Sequence, residues 1–296
     1  MGAPEIVEIR VKSVLNRVTG MPFRWSVNPY RGCIHGCVFC YARRTHWFID
    51  EDGVDGWSTR IFAKVNAPEV LHAELARRSW RRERVALGTS TDPYQSIEGR
   101  FGITRRILEV FLAARTPLSI VTRSPLIERD IGLLTDLARR AGVTVAFSIA
   151  TLDAGLAREI EPTVSPPRRR LEALSALAER GIRAGVMLAP ILPGITDDSA
   201  ALARVLEAAR DAGASFVSHG LLYLGEVTRE AYFAYLQLRR PELLPRYREI
   251  YAGTYATRDT AHELDRRLQR LRARIPCAQR GAWLEPPREA EQLALL

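Results

Sequence analysis

The sequence predicts an α/β protein: a partial (β/α)6 TIM-type barrel with a helical C-terminal extension. Two observations carry this expectation. Short runs rich in β-branched residues alternate with amphipathic helical patterns, which is the signature of βαβ units and a parallel sheet. Several helical patterns stop at a glycine (Gly142, Gly181, Gly213), where a left-handed cap is expected. Six such repeats are too few for a closed eight-fold barrel. The chain has no G-x-G-x-x-G motif, which counts against a dinucleotide fold.

The elements follow in order. Residues 25–27 (Trp-Ser-Val) read as the first strand and deliver the chain into a cysteine-rich loop. Residues 84–88 read as the second, followed by the polar turn 89–95 (Thr-Ser-Thr-Asp-Pro-Tyr-Gln). Residues 118–122, 144–149 and 185–188 read as the third to fifth strands, and a sixth starts at Phe216. Residues 61–65 suit an additional edge strand. Helical patterns cover residues 68–80, 104–114, 127–140, 168–180 and 198–212. From about Tyr223 the β signal stops, and helical patterns punctuated by Pro241 and Pro245 run to Cys277, with a loose tail after Pro286. The expected organisation is a barrel with its N-terminal lead-in over residues 1–225 and a helical extension over 226–296.

With 47% hydrophobic and 26% charged residues, the composition is that of a soluble globular protein. No segment approaches the roughly 20 apolar residues that span a bilayer, and Glu5, Glu8, Arg10 and Lys12 interrupt any N-terminal apolar run. A cytoplasmic protein without membrane contact is expected. The net charge of +9 comes almost wholly from arginine, since Lys12 and Lys64 are the only lysines. Arg77, Arg78, Arg81, Arg82 and Arg84 surround Trp80, and Arg266, Arg267, Arg270, Arg272 and Arg274 follow an apolar stripe of Leu264, Leu268, Leu271 and Ile275. Such clusters raise the expectation of a phosphate-rich partner, with nucleic acid foremost. A solvated helix face is the plainer alternative.

The chemistry concentrates in residues 28–43, Asn-Pro-Tyr-Arg-Gly-Cys-Ile-His-Gly-Cys-Val-Phe-Cys-Tyr-Ala-Arg. Cys33, Cys37 and Cys40 are spaced C-x3-C-x2-C. A [4Fe–4S] cluster takes four thiolates, so three local thiols leave one iron open to a ligand from outside the protein. The alternative is a Cys3His zinc site completed by His35 or His46, although no second cysteine pair follows. Crowded thiols without partners suit metal binding in a reducing compartment better than disulfides.

Together with residues 13–16 (Ser-Val-Leu-Asn), 91–95 (Thr-Asp-Pro-Tyr-Gln), 122–124 (Thr-Arg-Ser), Glu161-Pro162 and 189–194 (Ala-Pro-Ile-Leu-Pro-Gly), this stretch resembles the spore-photoproduct-lyase-like ("DNA repair photolyase") branch of the radical SAM superfamily. The resemblance spans roughly residues 10–225. It implies that Cys33, Cys37 and Cys40 ligate a [4Fe–4S] cluster whose open iron chelates S-adenosylmethionine (SAM). Phe39 and Tyr41 would flank the cluster and the adenine. Thr89, Ser90, Thr91 and Asp92 would lie where family members contact the SAM amino group, and Arg123 where a basic residue contacts its carboxylate. Ser148 matches a ribose or carboxylate contact, and Tyr223 and Leu224 border the adenine. Plainer roles stay open beside these. Asp92 would close a local turn, Ser148 would satisfy a buried amide, Arg123 would pair with Glu128, Glu98 would start a helix or face a substrate, and His219 would be a hydrogen-bonded structural residue.

The resemblance also shows departures. The lyase carries a hydrogen-donor cysteine just before the turn after the second strand, where this chain reads Leu87-Gly-Thr-Ser-Thr-Asp92 without a thiol. Phe39 stands where the lyase has tyrosine. Cys277 is the remaining cysteine and the candidate replacement donor, and Tyr41 is the second candidate catalytic residue. The implied activity is reductive cleavage of SAM and hydrogen-atom abstraction from a nucleic-acid lesion or nucleotide, with a flavodoxin- or ferredoxin-type protein as low-potential electron donor. The alternatives are modification of a small metabolite or peptide, and a zinc-stabilised nucleic-acid-binding module without catalysis.

Overall fold

The structure, a computed structural model, describes residues 3–49, 52–54 and 56–276. It opens with a small sheet made of β1 (Glu5–Ile9), β4 (Tyr30–Arg31) and β5 (Arg60–Lys64), in the order β1-β5-β4. Only β5 was expected from the sequence, as an edge strand; it is instead the central strand of this separate sheet, paired on both sides. β1 runs parallel to β5 with Glu5 opposite Arg60, and β4 runs antiparallel to it.

The main sheet holds β2 (Asn16–Arg17), β3 (Trp25–Val27), β6 (Val85–Leu87), β7 (Leu118–Thr122), β8 (Val143–Ser148), β9 (Arg183–Ile191) and β10 (Val217–Leu221). Its order is β10-β9-β8-β7-β6-β3-β2. Every pairing is parallel except β2 with β3. β3 and β6 to β10 are the six expected barrel strands, and β10 and β2 are left as edges, so the barrel is partial. The interior of β8 is buried along its whole length. That follows from a strand covered on both faces, where even Thr144 and Ser148 are buried.

The helices are α1 (Gly56–Thr59), α2 (Ala67–Leu75), α3 (Glu98–Phe101), α4 (Ile103–Ala113), α5 (Ile131–Arg140), α6 (Ala154–Ile160), α7 (Pro167–Glu179) and α8 (Ser199–Asp211). Gly142, Gly181 and Gly213 take positive φ after α5, α7 and α8, as a left-handed cap requires. Two expectations need correction. The helix expected over 68–80 ends at Leu75 because Trp80 turns inward, meeting Trp25 edge-on at 5.6 Å and donating from its indole N–H to Thr116 Oγ1 at 3.0 Å. The helix expected from 127 begins with a 3-10 segment, Pro125–Asp130, started by Ser124 accepting from Leu126 N–H. α6, capped by Asp153 and too short to show periodicity, was not anticipated.

Three further helices, α9 (Glu226–Arg239), α10 (Leu244–Ile250) and α11 (Arg258–Arg274), follow β10. α9 and α10 do not pack only on each other. Tyr232, Leu236, Tyr247 and Tyr251 form one apolar cluster with Cys37, Phe39, Ile160 and Leu192. α11 buries Leu264 and Leu268 in the main core. No helix among the described residues is long and apolar enough to cross a membrane.

Candidate functional site

The site lies at the C-terminal ends of the parallel strands, where loops rather than ladder bonds hold the backbone. A cavity of about 370 Å³ is lined there by Cys33, Cys37 and Cys40, the turn 88–92, Thr122 and Arg123, Ser148, Met187, Ala189 and Pro190, and residues 218–223. Phe39, Tyr41 and the Met21–Phe23 segment complete its wall. Every residue named from the sequence as a cluster or SAM contact is in this wall except Leu224. Leu224 is buried behind it, its N–H donating to Thr254 O at 2.9 Å. Cys277 lies outside the described residues.

The cysteine loop is folded onto the barrel by glycine and hydrogen bonds. Gly32 has φ +81°, and a Cβ there would sit 2.9 Å from Arg60 O and from Ile61 Cδ1, so only glycine fits. Cys33 N–H donates to Trp57 O at 3.1 Å, and Gly32 O accepts from Thr91 Oγ1 at 2.6 Å. Cys33 and Cys37 are 7% and 5% exposed. Burial pushes the Cys33 thiol up to about 12, helped by Asp92 and Cys40 and opposed by backbone N–H groups of Asp92 and His35. Burial likewise raises Cys37, with Arg123 as the main opposing charge. It raises Cys40 against the backbone N–H groups of Ala42 and Arg43 and the charges of Arg43 and Arg123. Burial is the main cause at all three thiols, and a bound cation would stabilise their charged forms.

A [4Fe–4S] cluster fits this donor set. Of the two histidines of the zinc alternative, His46 is bound away from the thiols, while His35 lines the same cavity and is turned to Asp92. His46 Nε2 meets Arg60 O at 3.1 Å, and His35 Nδ1 faces Asp92 Oδ2 at 3.4 Å. Burial lowers the His35 pKa despite Asp92, so its ring is neutral near pH 7. The three thiols instead line one chamber that extends beyond them toward polar groups, which matches a cluster held by three cysteines with room at its fourth iron.

Arg123 is the cation of the chamber. Its guanidinium lies 5.5 Å from the centre of the Phe39 ring. Its Nε donates to Glu161 Oε1 at 2.9 Å, and Arg170 Nη2 donates to Glu161 Oε2. Arg170, 1% exposed, is itself fixed by Ser165 O and Ser148 O, each at 2.8 Å. The expected partner Glu128 is therefore replaced by Glu161. Burial alone would lower the Arg123 pKa, but Cys37 and Glu161 outweigh it and keep the guanidinium charged. Because Glu161 takes the Nε edge, the two Nη groups have no protein hydrogen bond among the described residues. An edge of this kind can take a carboxylate through two parallel N–H groups.

The turn after β6 begins at Gly88, whose φ is +85°; a Cβ there would lie 2.5 Å from Pro93 Cδ and 2.6 Å from Val121 O. Asn28 anchors the turn, with Oδ1 accepting from Ser90 N–H at 2.8 Å. The Asp92 carboxylate points inward. It accepts from Tyr94 N–H (2.9 Å), Thr122 Oγ1 (2.8 Å) and Arg123 N–H (2.6 Å). Asp92 thus closes its local turn and also ties β6 to β7. Ser148 Oγ donates to Ala189 O at 2.7 Å, bridging β8 and β9. Tyr41 hydrogen-bonds Thr89 O and meets Tyr223 edge-on at 6.4 Å; Tyr223 meets Tyr255 at 5.2 Å. His219 is held on both ring nitrogens, by Asp265 at 2.8 Å and Arg272 at 3.0 Å, which is the structural role. Glu98 is fully buried and accepts from Tyr30 OH, Thr104 N–H and Arg129, so it braces the loop rather than facing a substrate.

The arginine clusters are placed differently. Residues 77–84 precede β6, at the end of the sheet opposite the cavity. On α11, Arg267 and Arg272 are used internally, at Asp197 O and Val217 O, while Arg266, Arg270 and Arg274 are exposed.

A family model described as the radical SAM superfamily matches residues 27–206. An uncharacterized protein of Mycobacterium tuberculosis is 42% identical over 247 residues, covering 82% of this chain and 73% of its own. One of Methanocaldococcus jannaschii is 28% identical over 194 residues, 65% of this chain and 70% of its own. Among solved structures, a spore photoproduct lyase mutant with bound AdoMet and dinucleoside spore photoproduct superposes with a TM-score of 0.71. It is 17% identical, over 93% of this chain and 81% of that one, and so shares the fold.

Proposed function

The chain belongs to the radical SAM superfamily, and from that premise we propose that it cleaves SAM reductively and abstracts a hydrogen atom from a planar, base-containing substrate, a nucleotide or a nucleic-acid lesion. The observation that carries the reading is the convergence of Cys33, Cys37, Cys40 and Arg123 in one buried chamber at the strand ends.

When bound, the cluster and SAM supply a carbon radical able to attack an unactivated C–H bond. The protein's own residues prepare for that step. Cys33, Cys37 and Cys40 would hold three irons. The Nη edge of Arg123, turned outward by Glu161, would take a carboxylate. Phe39, 4% exposed beneath the guanidinium, keeps water from the thiol side. Tyr41, Tyr223 and Tyr255 form an edge-to-face series running from the cavity wall to the surface, and Tyr255 is 73% exposed. Aromatic faces at such a mouth suit a stacked base. A base inside a duplex would have to be flipped out to arrive there.

Reversal of thymine photoproducts is not part of this reading. Among the described residues the mouth beside β6 offers Gly88, Thr89 and Ser90, and no thiol. A second reading, a small metabolite or peptide substrate, is favoured by one fact: residues 77–84 lie at the far end of the sheet and offer no basic path to the cavity. The electron would come from a flavodoxin- or ferredoxin-type donor.

The test is anaerobic iron–sulfide reconstitution, then dithionite and SAM, with 5′-deoxyadenosine quantified by chromatography. Wild type is expected to form it and Cys37→Ala is not. A fully reconstituted wild type that forms none would overturn the proposal. Steep salt dependence of oligonucleotide affinity supports the base-containing substrate, and salt-independent turnover of a small molecule supports the second reading.

A further inference from the structure

The three residues between Cys33 and Cys37 belong to no helix or strand, yet the backbone of the first of them, Ile34, is held at both its N–H and its C=O. Ile34 N–H donates to Gln95 Oε1 at 3.0 Å, and Ile34 O accepts from Thr163 Oγ1 at 2.6 Å. Gln95 is fully buried, and its amide Nε2 donates to Gly32 O at 3.3 Å and to Thr91 Oγ1 at 3.0 Å. One side chain from the loop after β6 therefore fixes the peptides on both sides of Cys33. Thr163, in the loop after α6, fixes the other face of the same stretch, and Val38 N–H reaches Ile160 O at 3.0 Å nearby.

These are long-range contacts, 61 and 129 residues apart in sequence. A three-residue linker without its own ladder would otherwise sample many conformations, and each would place the two thiols at a different separation. We propose that Gln95 and Thr163 are positioning residues that set the spacing of Cys33 and Cys37 and thereby the grip on the cluster. Neither touches the reacting atoms; both act through the backbone of Ile34, Gln95 at its N–H and Thr163 at its C=O. The inference rests on the cluster reading above.

The test measures cluster retention rather than turnover. Wild type, Gln95→Met, Thr163→Val and Thr163→Ser are reconstituted anaerobically. Iron and sulfide per chain are assayed, and loss of the cluster to an iron(II) chelator is followed by absorbance. Electron paramagnetic resonance of the dithionite-reduced forms reports the ligand geometry, and thermal melting of the metal-free chains controls for folding.

Gln95→Met keeps the volume and removes the polar contacts, so it is expected to lose its cluster about tenfold faster, the equivalent of one net hydrogen bond. Thr163→Val is expected to lose it roughly threefold faster, its hydroxyl being exposed, and Thr163→Ser to restore the wild-type rate. Both faster variants should show a shifted resonance spectrum. Variants that melt lower when metal-free but release iron at the wild-type rate with an unchanged spectrum would overturn the proposal and leave a purely structural role. If Gln95→Met does not fold, the Val/Ser pair at Thr163 decides alone. A wild type that takes up no iron would overturn the cluster reading, and this proposal with it.

Discussion

Arg123 and Glu161 stand 38 positions apart in sequence and meet through a single Nε–Oε1 hydrogen bond of 2.9 Å, with Arg170 closing the far side of the same carboxylate. One buried anion thus serves two arginines, and only one of those reaches the cavity.

Glu161→Gln should cost about 3–5 kcal/mol in urea unfolding of the metal-free chain, because it leaves buried Arg170 without its counter-charge. The pH dependence has a definite sign. Burial would raise the Glu161 pKa, but Arg170 and Arg123 hold it below its ordinary 4.5. A depressed carboxylate contributes stability above its unfolded pKa and loses it as pH falls through the folded value. Wild type should therefore lose stability below about pH 4.5, and the variant should lack that part of the acid slope.

Alkylation kinetics should expose the cost of the thiol chamber. With Cys33 pushed up to about 12 by burial, iodoacetamide should modify it in the metal-free chain at pH 7.5 on the order of a thousandfold more slowly than a free cysteine peptide. Mass spectrometry after timed quenching reads this directly, and peptide-like reactivity at Cys33 would contradict it.

Tyr255→Ala removes the most exposed ring of the series that starts at Tyr41. Oligonucleotide affinity should fall by about 1–3 kcal/mol, the worth of one stacked base, while SAM cleavage with dithionite alone is unchanged. Fluorescence anisotropy and the deoxyadenosine assay separate the two effects.

Tyr30→Phe deletes the hydroxyl that donates to Glu98, whose oxygens also serve Thr104 N–H, Arg105 N–H and Arg129. With those donors still in place, the expected loss is about 1 kcal/mol in thermal or urea unfolding. A loss several times larger would mean that the network cannot reorganise around the missing group.

The parallel strands were legible because each is a short β-branched run between turn signals, and the thiols because their spacing is itself the chemical statement. Other features carry no local signal. β1 and β4 form only by pairing with β5, and α6 has too few residues for periodicity. Arg123 was read beside the nearest acidic residue, Glu128, whereas the partner comes from another repeat of the barrel. Asp92 was legible as a turn former but not as a tie to Thr122, which depends on the parallel register of β6 and β7.

Cys37 and Phe39 share one apolar cluster with Tyr232, Tyr247 and Tyr251 from the helices that follow the barrel, and Thr228 Oγ1 donates to Cys40 O at 3.2 Å. The two halves of the chain are therefore poor candidates for exchange between relatives. A chimera that pairs this barrel with another protein's helices would have to repack the wall behind its own cysteine loop. Protein engineers, like evolution, inherit both halves together.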